Sequence, residues 1–153
     1  MKPFNGTPTG ATLEKILDAY MRSYKNDRKT KKMNIICITD GAASDPSKLM
    51  DVLIDCSKKL DNYDAPLDQV GIQFFQVGND KRATYQLEHL DNMQEEGRDI
   101  VDTYHFENVE KLQAKMKTQG ISIGDQPEFS GEVIIKIVLG AIRKDVDANP
   151  TWQ

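Results

Sequence analysis

The sequence predicts an α/β fold, a mostly parallel three-stranded sheet flanked by helices. Three observations support this. Short apolar runs lie at 34–39, 69–77 and 100–103, each too short for a helix and each bounded by turn residues. Longer segments between them carry apolar side chains at helical spacing. The resulting order is helix, strand, helix, strand, helix, strand, helix, which favours parallel strands joined by crossover helices on both faces of a sheet. Three strands is few for such a sheet.

Residues 1–10 are rich in Gly, Pro and Thr and read as a loop. Leu13, Ile16, Leu17, Tyr20 and Tyr24 then recur as one face of an amphipathic helix over 11–26. Lys25, Arg28, Lys29, Lys31 and Lys32 form a basic connector. Such a connector is ordinarily a solvated face, and this one lacks interleaved aromatics that would stack on bases. Residues 33–42 follow and are the most informative stretch of the chain. Ile35, Ile36, Cys37 and Ile38 run without a polar break and stop at Asp40-Gly41, which reads as a strand buried on both faces. The acid stands at the carboxyl end of that strand, where open α/β sheets bind ligands.

Asp45-Pro46 suits the start of a helix over 47–60, with Leu49, Val52, Leu53 and Cys56 on one face. After a loop at 62–66 the strand 69–77 follows. Gly78-Asn79-Asp80 ends it and opens a helix over 81–96. A turn containing Glu95, Glu96, Gly97 and Arg98 leads to the short strand 100–103. A brief helix is expected over 109–117. A strongly apolar one is expected over 133–143, burying Ile134, Ile137, Val138, Ala141 and Ile142. The tail, 145–153, is polar apart from Trp152, which would either clamp against the body or trail free. The chain shows no internal repeat and no low-complexity segment.

The 153 residues fit a single domain, 1–153, with a core of about 5–144. A hydrophobic fraction of 39% and a charged fraction of 29% are ordinary for a globular protein. The net charge of −4 gives no general attraction to nucleic acid or to an anionic membrane. No apolar run reaches the length of a membrane span and no signal-type segment opens the chain, so the expected compartment is the cytoplasm. Cys37 and Cys56 read as small buried hydrophobes; a disulfide between them would be out of place in a reducing compartment. His89 and His105 are the only histidines, and neither has a Ser or Cys motif beside it to serve nucleophilic catalysis. No zinc-type cluster, dinucleotide fingerprint or Walker-type loop is present.

Gly6-Thr7-Pro8-Thr9-Gly10 before the first helix and Ile38-Thr39-Asp40-Gly41 at the end of the first strand resemble two of the three sequence elements of the von Willebrand factor A family. The run Val-Gly-Ile-Gln-Phe-Phe-Gln-Val-Gly-Asn-Asp at 70–80, with the other two, is similar to a fungal branch of that family. The resemblance covers most of the chain. It implies a partial Rossmann-like fold and a non-enzymatic protein-interaction module. In the family a Thr of the first element and the Asp of the second join an Asp-x-Ser-x-Ser motif to form a metal-ion-dependent adhesion site that holds magnesium. Such a cation takes hydroxyl, carboxylate and water oxygens and leaves one position for an acidic side chain of a protein ligand. By this correspondence the metal residues are Thr7 and Asp40. Thr9 is more simply a helix cap.

The Asp-x-Ser-x-Ser element has no counterpart; Asp45-Pro46-Ser47 and Asp55-Cys56-Ser57 are half-matches after the wrong strand. The chain is therefore expected to correspond to the trailing part of such a domain. Most of a magnesium shell would then fall to water, leaving the metal weakly held or lost. The family's missing first strand lies beside the strand ending in Asp40. Residues 35–38 are thus expected at a sheet edge, open to pairing with another chain.

Rival readings remain. Asp40 in an Asp-Gly pair could be a solvated turn carboxylate. An α/β enzyme of phosphotransfer or hydrolase type would use Asp40 with magnesium, with Asp80 as a second acid, but no Lys ends a strand to complete it. A degenerate gene fragment without function is the third. Glu95, Glu96 and Asp99 imply no cleft, and His105 near the same sheet edge is by itself a structural histidine.

Overall fold

The computed structural model describes residues 6–78, 80–91 and 98–105. In order they form helix α1 (Thr9–Asn26), strand β1 (Met33–Thr39), helix α2 (Pro46–Asn62), strand β2 (Val70–Gln76), helix α3 (Lys81–Asp91) and strand β3 (Val101–His105). The sheet order is β1-β2-β3 and both pairings are parallel. The α/β architecture and all three strands follow the sequence expectation. The expected continuation of the third helix past residue 91, the helices over 109–117 and 133–143, the turn residues Glu95 and Glu96, and the tail with Trp152 lie outside the described residues.

Each helix buries one stripe. In α1 the buried positions are Gly10, Leu13, Leu17, Met21 and Tyr24. In α2 they are Leu49, Val52, Leu53, Cys56, Ser57 and Leu60, and Pro46 opens the first turn, where its missing N–H costs no helical bond. These stripes, with Leu87 and Leu90 of α3, meet Val70, Ile72, Phe74 and Val101 in one core cluster. In a parallel ladder paired residues share a face. Val70, Ile72 and Phe74 therefore define the helical face together with their β1 partners Met33, Ile35 and Cys37. Helices were expected on both faces, yet the three described helices all pack on this one. Two right-handed crossovers stepping the same way along a sheet put their helices on the same side.

The other face carries Ile36 and Ile38 of β1, Gln73 and Phe75 of β2, and Asp102 and Tyr104 of β3. Gln73, Phe75, Asp102 and Tyr104 are buried, whereas Ile36 is 42% and Ile38 70% exposed. The reading of β1 as a strand buried on both faces is thus corrected. As was also expected, it stands at an edge of the described sheet, and its other face is open at Ile36 and Ile38. An apolar run looks the same whether its strand is central or at an edge. Gln73 is fully buried, and neither its amide oxygen nor its amide nitrogen finds a hydrogen-bond partner among the described residues.

Three polar devices hold the connections. The Tyr20 hydroxyl donates to the Lys31 carbonyl (2.8 Å) and accepts from the buried Gln69 amide (2.5 Å), pinning the basic connector to the start of β2. The guanidinium of Arg28 lies 4.1 Å from the Tyr63 ring centroid and 5.1 Å from that of Tyr24, while Lys32 pairs with Asp68. The connector is thus partly docked rather than wholly solvated, and its aromatics come from α1 and from the residue after α2. Arg98, with its side chain 8% exposed, reaches Asp61 at 2.7 Å and the carbonyls of Ala65 and Pro66 at 2.8 Å. Its own carbonyl accepts from Ser57. It ties the end of α2 to the lead into β3.

Gly10 sets how closely α1 and α2 approach. A Cβ at this position would lie 2.5 Å from the Leu49 backbone nitrogen and 2.8 Å from its Cα. Because the obstacle is backbone, Gly10→Ala should destabilise the protein by about 2 kcal/mol, as overpacking does. A shift in the urea midpoint at unchanged slope measures it. Conversely, Gln73→Met removes an amide whose burial is uncompensated and should stabilise by about 1 kcal/mol. A loss of stability of that size would show that the amide is satisfied after all.

Candidate functional site

Parallel strands deliver their carboxyl ends to one rim, and Asp40, Asp80 and His105 arrive there together. The turn after β1 is fixed by Thr39, whose hydroxyl donates to the Gly41 carbonyl (2.7 Å) and accepts the Gly41 N–H (3.3 Å). This leaves Asp40 exposed. The next strand's acid is close by, since Asp80 Oδ2 lies 3.9 Å from the place a Cβ on Gly41 would occupy.

Asp80 is committed to its own helix. Its Oδ1 accepts the Arg82 N–H at 2.8 Å, and Oδ2 lies 3.3 Å from the Arg82 guanidinium. The Arg82 N–H first, and then its guanidinium, hold the Asp80 carboxyl below its ordinary value. Behind it, the buried Gln76 donates from Nε2 to the Asp80 carbonyl (3.0 Å). Gln76 Oε1 accepts from the Thr84 hydroxyl (3.1 Å) and meets His105 Nδ1 at 2.8 Å. An amide oxygen only accepts, so Nδ1 carries the proton. Gln76 thereby fixes the orientation of the His105 ring through Nδ1. Gln86 Oε1 accepts the Ala43 N–H at 2.7 Å and joins α3 to the loop after β1.

Thr7 reaches this rim from the other side. Its carbonyl accepts the N–H groups of Ser44 (3.0 Å) and Thr9 (2.8 Å) and the Thr9 hydroxyl (3.3 Å). Gly6 before it has φ +127°, a backbone conformation that side chains disfavour, and a Cβ there would strike Ser44. Thr9 is the first residue of α1 and does not cap it. The cap is Asp45, whose two carboxylate oxygens accept the N–H groups of Gly10 (3.0 Å) and Ala11 (2.8 Å). Asp45 was read as the start of α2, and its carbonyl does accept the Leu49 N–H there. Its side chain serves the other helix, across 35 residues of sequence, so no local pattern could have announced it.

The fold thus brings Thr7 to the loop that follows Asp40. The test of magnesium is then the donor set. Thr7 and exposed Asp40 offer two oxygens toward an ion that wants six in near-octahedral array, and Asp80 is engaged by Arg82. Among the described residues no three or more His, Cys, Asp and Glu side chains cluster so as to hold a metal ion. These residues do not fit a resident magnesium.

Beneath the rim runs a groove of about 330 Å³ between α1 and the open side of β1, lined by Leu13 of α1 and by Ile35, Cys37 and Phe74 of the sheet. Cys37 and Cys56 are free thiols. Burial pushes Cys37 up to about 11 and Cys56 up to about 12, so both stay protonated at neutral pH and neither is a ready nucleophile. No helix among the described residues is long and apolar enough to cross a membrane.

Comparison with protein-family models, with curated proteins and with solved structures finds no match.

The lowered Asp80 carboxyl carries a pH signature. A carboxylate whose folded value is depressed stabilises above its unfolded value and loses that contribution as pH falls through the folded one. Asp80→Asn keeps Oδ1 as an acceptor but removes the charge. It should melt below the wild type at pH 7, and the gap should close as pH drops below the ordinary 3.8. A melting series from pH 7 to pH 3 reads this directly, and a gap that widened in acid would contradict the assignment.

Proposed function

We propose that this chain is a non-enzymatic protein-interaction module of von Willebrand factor A type, with its adhesion site reduced to Thr7 and Asp40. The observation carrying this reading is that the polar groups around Asp40 are spent on the scaffold. Thr39 holds Gly41, Asp80 holds Arg82, Gln86 holds Ala43, and Gln76 gathers Asp80, Thr84 and His105. Asp40 is the exposed carboxylate left at this rim. A contact surface needs only shape and a few exposed groups.

The proximity of Asp80 to the Asp40-Gly41 turn keeps one rival in view, a phosphotransfer or hydrolase enzyme using Asp40 with magnesium. Beryllofluoride, which mimics an aspartyl phosphate, separates the two. For the interaction module, millimolar magnesium with or without beryllofluoride should leave the melting temperature unchanged. Asp40→Ala, at an exposed position, should alter stability by less than about 0.5 kcal/mol. A thermal shift with magnesium and beryllofluoride that disappears in Asp40→Ala would replace the module with the enzyme.

A further inference from the structure

Among the described residues no strand pairs with the outer side of β1 at Ile36 and Ile38. Met33 donates its N–H to the Gln69 carbonyl (2.9 Å), and the Thr39 carbonyl accepts from Val77 (2.7 Å). These two bonds fix the phase of the strand. In a parallel ladder alternate residues turn both backbone groups toward one neighbour, so residues 33, 35, 37 and 39 address β2. Ile36 and Ile38 therefore turn their N–H and C=O groups outward. They line the groove that Thr12, Leu13 and Ile16 of α1 bound from above. Ile16 and Ile38 are 42% and 70% exposed.

The groove discriminates among occupants. None of its lining residues is charged, so the body of the occupant is uncharged. The strand that borders it is flanked by opposite charges. The exposed Lys29 and Lys31 precede β1. Asp40, also exposed, follows it. A second copy of this chain does not fit. Its own β1 would arrive with α1 and α2 on the helical face, yet the first copy's α1 already roofs that space, and packed helices need 8–10 Å against 4.8 Å between strands.

We propose that the β1 edge and the groove beneath α1 receive one extended strand of a partner polypeptide. That strand has an uncharged, alternately apolar body, with an acidic residue at the end beside Lys31 and a basic residue at the end beside Asp40. Outward groups of Ile36 and Ile38 supply the backbone bonds; Leu13 and Ile16 cover the alternate side chains. This deepens the interaction-module reading and rests on it only in being a protein contact, since no metal takes part.

The test uses the full chain in EDTA and two labelled heptapeptides, Glu-Val-Thr-Val-Thr-Val-Lys and its charge-reversed counterpart Lys-Val-Thr-Val-Thr-Val-Glu, followed by fluorescence anisotropy. One order should bind at least tenfold more tightly than the other, and the order that wins reports the strand's direction. N-methylation of alternate amides on the binding face of that peptide should weaken it at least tenfold. Ile38→Pro removes a single outward N–H at an edge position, where proline is tolerated, and should weaken binding to a similar extent. The pair Lys31→Glu with Asp40→Lys should reverse the preferred order. Equal binding of both orders, no binding, undiminished binding of the N-methylated peptide, or a wild-type dimer abolished by Ile38→Pro would each overturn the proposal. The magnesium and beryllofluoride results do not depend on any of these, so the two readings fail separately.

Discussion

The junction of Gly10 with Asp45 is the constraint on which the rest of this molecule depends. Two carboxylate oxygens accept two N–H groups at the start of α1, and the same residue's carbonyl accepts the first bond of α2. A side-chain cap of this kind contributes about 1 kcal/mol, and a carboxylate at a helix N-terminus gains further from the aligned peptide dipoles. The junction forms only because position 10 has no side chain, allowing α1 to lie against the backbone of Leu49. With α1 so placed, Thr7 falls beside Ser44 and the groove along β1 acquires its roof.

Much of the scaffold was legible in the chain because local physics and the fold agree. Leu13, Leu17 and Tyr24 recur at helical spacing and are buried together; the apolar runs at β1 and β2 are strands within one residue of their expected limits. What escaped is what depends on distant partners. Asp45 looked like the beginning of its own helix and caps another. Arg28 looked like one member of a solvated connector and lies against Tyr24 and Tyr63. Ile36 and Ile38 looked buried, because an apolar run does not record which of its faces is covered, although the place of the strand at a sheet edge was expected. The short strand β3 runs on to His105, two residues past the expected limit, because Gln76 on β2 holds that histidine in register.

The site was legible in outline only. Thr7 and Asp40 could be picked out as residues, and the fold does carry both to the carboxyl rim of the sheet. The web around Gln76 was beyond reach of a linear reading, for it joins β2 to α3 and β3, whereas the engagement of Asp80 by Arg82 is local, across two residues. These contacts tie Asp80, Gln76 and Thr84 into the scaffold and leave Asp40 exposed at the rim.

The long span of the Asp45 contact bears on how the molecule assembles. Its partner on α1 lies 35 residues earlier in the chain, so α1 has no local side chain to cap its first turn. Such a helix draws most of its stability from packing its apolar stripe rather than from its own residues. It must wait until the segment between has folded back and closed the loop, a cost in chain entropy that precedes any reward. The cap on α1 and the roof it gives the channel are thus bound to the closure of that loop.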